Sequence, residues 1–282
     1  MKDYKRITAL LLSLVLLLMG GCTAKKETIP HLPVLLYHHI ETQDGKGTVT
    51  VQQLEAQMAM LKNQGYQPIS LKQLLDFAEN GTPLPKNSVV ITFDDGYYSN
   101  YQLAYPILKK YQYPATIFAI GSSIGKSTYK DTAHTITPHF GAAEIKEMVE
   151  SGWISIQSHT YDLHQWAPFE SGDKIRESVL PLPGETEEEY RDILTADHQK
   201  ALEALQTNGA DATIAVAFPH GATNPLATRI FHENGVKITF TTDEKKTNTV
   251  TAKEPENLLD LGRLSVEYDT SNAKILEYIK KA

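Results

Sequence analysis

The chain has one cysteine, Cys22, in 282 residues. No intrachain disulfide can form, so stability must come from the core alone. Long apolar stretches are equally scarce. The run Ile7 to Met19 falls short of the roughly 20 residues that cross a bilayer comfortably. There is no internal repeat and no long low-complexity segment, which leaves no basis for a repeat array. There is no excess of positive charge either. A formal net charge of −7 argues against a nucleic-acid or anionic-headgroup partner and tolerates a neutral polymer, or one that becomes cationic. What remains, 41% hydrophobic and 22% charged residues, is ordinary for a globular protein.

The N-terminus has the form of an export signal. Lys2, Lys5 and Arg6 precede the apolar run, and Gly20-Gly21-Cys22 closes it. Small residues before a lone cysteine resemble a bacterial lipobox, although Met19 stands where leucine is commoner. Residues 1–21 are therefore expected to be a lipoprotein signal peptide, with Cys22 lipidated at the outer face of the cell membrane. The alternative is an ordinary secretory signal with a chance cysteine. Residues 22–32, polar and carrying Lys25, Lys26 and Glu27, read as a tether to one domain of about 250 residues, within the range of an α/β barrel.

Along that domain, strand-like and helix-like runs alternate. Strands are expected at 34–37, 89–93, 115–120, 154–157, 213–218, 238–241 and 261–266. Helices are expected at 51–64, 71–78, 101–111 with Pro106 as a kink, 142–150, 185–205 with Thr186 and Glu189 as a capping box, and 225–234. Such alternation implies an α/β fold with a parallel sheet, and does not by itself separate an open sheet from a barrel.

Two clusters carry chemistry. Val89–Phe93 is a short apolar run that ends in Asp94-Asp95-Gly96. Neighbouring side chains on extended backbone point different ways, so one carboxylate can bind a metal while the other faces water or substrate. Downstream, Ser158-His159-Thr160-Tyr161-Asp162-Leu163-His164 follows another strand. Two imidazoles and a carboxylate form a three-donor set with positions left for water, the pattern of a catalytic metal.

TFDDG paired with SHTYDLH resembles the polysaccharide deacetylases of the NodB-homology type, carbohydrate esterase family four. The wide step from His159 to His164 is similar to the intercellular-adhesin, or poly-N-acetylglucosamine, deacetylase subgroup. The resemblance covers roughly residues 33–266, within a catalytic domain of 33–282. It implies a distorted (β/α)7-type barrel and one divalent ion, zinc by preference with cobalt or nickel possible by ligand type. It also implies Asp95, His159 and His164 as ligands and Asp94 as general base. The usual late Leu-x-His motif is missing from Leu261–Val266. Leu35-Leu36-Tyr37-His38-His39 resembles that motif moved to the N-terminus, making His38 the general-acid candidate and His39 the alternate. The arginine that usually braces the base is absent from Ala217-Phe218-Pro219-His220-Gly221. Arg263 is the candidate replacement, against a surface ion pair. A backbone N–H of that Pro-His-Gly turn could complete an oxyanion hole. Tyr97, Tyr161 and Trp166 could stack on sugar rings. His134, His139, His198 and His232 lack motif context and read as surface residues.

The expected activity is N-deacetylation of a cell-surface N-acetylglucosamine polymer, with β-1,6-linked exopolysaccharide preferred. Peptidoglycan or chitin oligomers are the alternative substrates. A non-catalytic carbohydrate-binding lipoprotein is the alternative of another class, disfavoured because Asp94 and both histidines are present. The expected partners are the polysaccharide and, through Cys22, the membrane, with no nucleic acid and a monomeric chain.

Overall fold

A computed structural model describes residues 26–281 except 44, 46 and 173. The signal peptide and Cys22 lie outside the described residues. The apolar runs form seven parallel strands: Val34–Tyr37 (β1), Ser88–Phe93 (β2), Ala115–Ala119 (β3), Ile154–Ser158 (β4), Ala215–Ala217 (β5), Ile238–Phe240 (β6) and Leu264–Ser265 (β7). Their order across the sheet is β6-β5-β4-β3-β2-β1-β7, and Gln67–Pro68 adds a short strand beside the start of β2. Every residue of β1, β2 and β3 is buried, as a sheet covered on both faces requires.

The sheet curls until its two edges meet. Leu261, just before β7, forms a parallel bridge to Phe240 of β6. Its N–H donates to Thr239 O at 2.8 Å and its carbonyl accepts from Thr241 N at 2.9 Å. The barrel alternative therefore holds over the open sheet. The late strand is shorter than 261–266 because Leu261 is taken by this closure.

Helices Val51–Asn63 (α1), Leu71–Asn80 (α2), Tyr105–Tyr111 (α3), Ala142–Glu150 (α4), Glu187–Thr207 (α5), Pro225–Glu233 (α6) and Asn272–Ile279 (α7) fall between or after the strands. Capping boxes start three of them, at Thr50 with Gln53, Ser70 with Gln73 and Thr186 with Glu189, each satisfying orphan N–H groups of a first turn. Pro106 sits in the first turn of α3, preceded by a single π-helical turn, Asn100–Ala104, where its missing N–H costs nothing. Alternate strand residues divide between two packed layers, as period-two backbone demands. Leu35, Tyr37, Ile91, Phe93 and Ile117 pack with residues of α1, α3, α4 and α7, and Val34, Val90, Phe118 and Phe240 lie on the inner face.

Two expectations change. Thr28–Ile29 pairs antiparallel with Val250–Thr251 and Leu32 is fully buried, so the packed unit starts before Pro33 and takes in part of the stretch read as tether. His198, read as a surface residue, is buried on α5 against Phe231, with ring centroids 5.4 Å apart. Helical spacing places it on the inward face, which isolated motif reading overlooked. Among the described residues no helix is long and apolar enough to cross a membrane.

Candidate active site

The site forms at the carboxyl ends of the strands. Asp94 still continues the ladder, its N–H donating to Tyr37 O at 2.9 Å. Asp95 then turns into the left-handed region at φ 72°, followed by Gly96 at φ 81°. A Cβ on Gly96 would lie 3.0 Å from the Ala119 Cβ and 3.2 Å from its Cα, so only glycine fits this close approach to β3. The left-handed turn at a non-glycine residue costs free energy and sends the two adjacent carboxylates in different directions.

Asp94 faces Arg263. The guanidinium donates from Nη1 to Oδ1 and from Nη2 to Oδ2, both at 2.7 Å. It is completely buried and also donates from Nε to Thr241 O at 2.9 Å and from Nη1 to Thr92 Oγ1 at 3.3 Å. It lies between the Phe118 and Phe240 rings, 5.8 and 5.7 Å from their centroids. The surface-ion-pair alternative for Arg263 is thus excluded. Burial alone would raise the Asp94 carboxyl, but Arg263 and His159 together hold it below the usual carboxylate value, so it is ionised.

Asp95 faces the histidines. Its Oδ1 is 3.4 Å from His159 Nε2 and 3.7 Å from His164 Nε2. One donor atom from each of the three residues lies within 4.8 Å of the others. His159 Nδ1–H donates to Ala217 O at 2.8 Å, which turns Nε2 toward the site, the usual orientation of a ligating imidazole. Burial, and then His159, push His164 down to about 4, so it is neutral near pH 7. Burial opposes ionisation of Asp95, but His38, His159 and His164 outweigh it. Asp95 Oδ1 is buried with no hydrogen-bond partner. A carboxylate with an orphaned oxygen facing two imidazole Nε2 atoms fits one divalent cation of borderline softness.

The wide His159–His164 step has its own support. Thr160 is left-handed at φ 70°. The N–H groups of Tyr161 and Asp162 donate to the two oxygens of Asp197, at 2.9 and 2.8 Å. Asp197 is buried on α5, and burial raises its carboxyl to about 6 despite those two bonds. Sequence reading missed it; a lone carboxylate within a charged helix gives no signal.

A cleft of about 780 Å³ opens over these groups, lined among others by His38, Asp95, Tyr97, His139, His164, Trp166, Glu177 and His220. His38 faces it. His39 is occupied elsewhere: its Nδ1 lies 2.5 Å from Ser99 Oγ and its Nε2 2.6 Å from Glu41 Oε1. His139, read as a surface residue, is corrected here. It lines the cleft, its ring centroid is 5.1 Å from that of Tyr97, and its Nδ1 is buried without a partner. Only the folding of loop 121–141 over the end of β3 brings it there, through Phe140 N donating to Gly96 O at 3.2 Å. Tyr97 sits between the His39 and His139 rings and lines the cleft, and Trp166 is exposed at the rim. In the Pro219-His220-Gly221 turn, a Cβ on Gly221 would lie 2.4 Å from Thr242 N. The N–H groups of Gly221 and Ala222 are spent on Phe218 O and Pro219 O, so neither is available to an oxyanion.

Residues 81–239, more than half of the chain, match the polysaccharide deacetylase family model. YxkH of Bacillus subtilis (strain 168), provisionally named a polysaccharide deacetylase, is 32% identical over 257 residues, covering 91% of this chain and 78% of that one. The poly-beta-1,6-N-acetyl-D-glucosamine N-deacetylase of Staphylococcus epidermidis is 31% identical over 198 residues, covering 70% of this chain and 62% of its own length. The structure of IcaB from Ammonifex degensii superposes with a TM-score of 0.72 at 26% identity, covering 89% of this chain and 98% of that one. With the barrel, the paired aspartates and the two histidines in place, the chain belongs to the polysaccharide deacetylase family and is a hydrolase of that class.

Proposed function

We propose that this chain removes N-acetyl groups from a cell-surface N-acetylglucosamine polymer, with β-1,6-linked exopolysaccharide as the preferred substrate. The observation that carries the proposal is the orphaned Oδ1 of Asp95 between two imidazole Nε2 atoms, next to a second carboxylate braced by a buried arginine. The first is a place for one cation and the second a place for a base. The linkage preference draws on the Staphylococcus epidermidis relative, named for a β-1,6 polymer.

A divalent ion, zinc by preference, held by Asp95, His159 and His164 would acidify water and polarise the acetamide carbonyl. Asp94 takes the proton of the attacking water. Arg263 fixes the carboxylate of Asp94 with both oxygens committed in plane, which keeps it ionised and oriented. His38, at the end of β1 beside β2, gives a proton to the departing sugar amine, while His39 is held back by Ser99 and Glu41. The same reading places the chain outside the cell, anchored through a lipid on Cys22.

The test is amine release from defined β-1,6 and β-1,4 N-acetylglucosamine oligomers, with and without chelator. Release from the β-1,6 series that stops with chelator and returns with zinc is the expected result. Preference for β-1,4 oligomers would move the substrate to peptidoglycan or chitin. Chelator-resistant turnover would remove the ion from the mechanism.

A further inference from the structure

Beyond the catalytic groups, the cleft has an outer wall with a chemistry of its own. Trp166 is 51% exposed, the most of any large hydrophobic side chain among the described residues. It does not hang free. Its ring packs edge-on to Phe169 with centroids 4.3 Å apart, and Phe169 stacks flat on His134 at 4.2 Å. The backbone N–H of Trp166 donates to Tyr129 Oη at 3.1 Å. Tyr129 and Lys130 both bond to Glu170, and Lys130 Nζ also donates to Asp162 at 2.8 Å. A tryptophan held rigidly yet left exposed beside a cleft offers a flat apolar face at little conformational cost.

Glu177 is brought to the same cleft by a neck in the chain. Gln165 N donates to Arg176 O at 2.9 Å, and Arg176 N donates to Gln165 Oε1 at 2.7 Å. The residues just past this neck on either side, Trp166 and Glu177, both line the cleft. Arg176 pairs with buried Glu185, and Lys130 with Asp162 and Glu170. Among the described residues no lysine, arginine or histidine forms an ion pair with Glu177. Among the described residues it is one of two carboxylates lining the cleft; the other, Asp95, faces the histidines.

We propose that Trp166 and Glu177 form a subsite for a 2-amino-2-deoxyhexose unit, with the sugar ring against the indole and its ammonium on the carboxylate. This rests on the deacetylase reading for its biological meaning. Each turnover there converts a neutral acetamide to an ammonium, so the subsite recognises a unit already processed. The enzyme then works best where a deacetylated unit neighbours an acetylated one, and deacetylation spreads along a chain from its first event.

The test starts with binding. A β-1,6 glucosamine trimer and its fully N-acetylated counterpart are titrated into the holoprotein, read by calorimetry and by tryptophan emission; the chain has two tryptophans. The glucosamine trimer should bind more tightly at low salt and perturb emission, and the perturbation should vanish in Trp166→Phe. Glu177→Gln should weaken the glucosamine trimer about 3- to 10-fold, between the range of exposed ion pairs and that of charged hydrogen bonds. The acetylated trimer should change less than about twofold, and the difference should shrink as salt rises. Equal effects on both trimers, or no binding of the glucosamine trimer, would overturn the subsite. Amine release from pentamers with one glucosamine at each position then locates the subsite relative to the cut. If the glucosamine trimer binds through Glu177 but no pentamer is deacetylated, the deacetylase reading fails while the binding site stands.

Discussion

Replacing Arg263 with methionine strands the Asp94 carboxylate inside the barrel. Both partners are buried and share two 2.7 Å bonds, so removing one leaves an uncompensated charge, at a cost of about 3–5 kcal/mol. That is a large part of the roughly 5–15 kcal/mol that holds a domain folded. Asp94→Asn should be costly for the opposite reason, because it leaves the guanidinium with one neutral acceptor in place of a carboxylate. Methionine in the Arg263→Met/Asp94→Asn double variant lies between Phe118 and Phe240, where an apolar side chain is at home. The double variant should therefore be less destabilised than the sum of the singles, with a coupling of about 2 kcal/mol or more. Urea denaturation of the four proteins in chelator, so that metal does not enter, measures it. Arg263→Lys keeps the charge but cannot span both oxygens, and should fall between wild type and methionine. The pH dependence has a definite sign. The Asp94 carboxyl is depressed in the fold from 3.8, so the stabilisation is complete above that value and is lost as pH falls below it. The gap between wild type and Arg263→Met should close in acid. Additive single variants, within about 0.5 kcal/mol, would refute the claim that the pair acts as a unit.

His159→Ala should lose most bound zinc by elemental analysis, whereas Asp94→Asn should keep it and lose on the order of 10²–10⁴-fold in turnover; metal retained in the first variant would remove His159 from the ligand set. Asp197→Ala should weaken zinc about 10- to 100-fold, as the loss of an outer-shell partner does, with turnover partly restored at saturating metal; unchanged calorimetric affinity would make Asp197 merely structural. His38→Ala should slow turnover with metal content intact, while His39→Ala should chiefly lower stability through loss of its Ser99 and Glu41 contacts; the reverse pattern would exchange their roles. Cys22→Ser should shift the protein from the membrane fraction to the medium or leave it unprocessed, and mature protein retained on the membrane would count against lipidation.

The strands, most helices and the Asp95–His159–His164 cluster were legible because each is written locally. The five-residue run Val89–Phe93 ending in two aspartates and a glycine defines a strand end, and Thr186 with Glu189 defines a helix start, within a few positions. What was not legible depends on contacts far apart in sequence. Nothing in Leu261–Val266 says that Arg263 is wholly buried; that follows from Leu261 closing the barrel onto Phe240, which carries Arg263 over the two phenylalanines and onto Asp94. His139 reaches the cleft only because loop 121–141 folds back onto Gly96. Asp197 holds Tyr161 and Asp162 from a helix that begins more than twenty residues later in the chain. Polar residues that act through tertiary contacts carry no periodicity and no neighbour pattern, so sequence ranks them as surface.

The place proposed for His38 follows from the strand order. β7 pairs in parallel with β1, Leu264 beside Leu35, and β1 pairs with β2, Tyr37 beside Phe93. The first and last strands of the barrel are therefore neighbours, and joining or cutting the chain near its ends leaves the sheet unchanged, the condition under which circular permutation is tolerated. On the β1 side of β2, the residue after the neighbouring strand's last position comes next to Asp94, whether that strand is first or last in the chain. In this chain β1 has that place, and His38 is the residue after it. β7, one strand further out, needs no histidine, and the segment before it supplies Arg263 instead. The proposed acid and the base thus share one rim, while the brace reaches Asp94 from inside the barrel, Arg263 standing level with Val34. Extending β1 by one residue before His38 would reverse its side-chain direction, since successive residues alternate faces. Such an insertion should abolish turnover while leaving the metal site, built on β2 and β4, able to bind zinc; equal loss of both would show that the rim does not divide in this way.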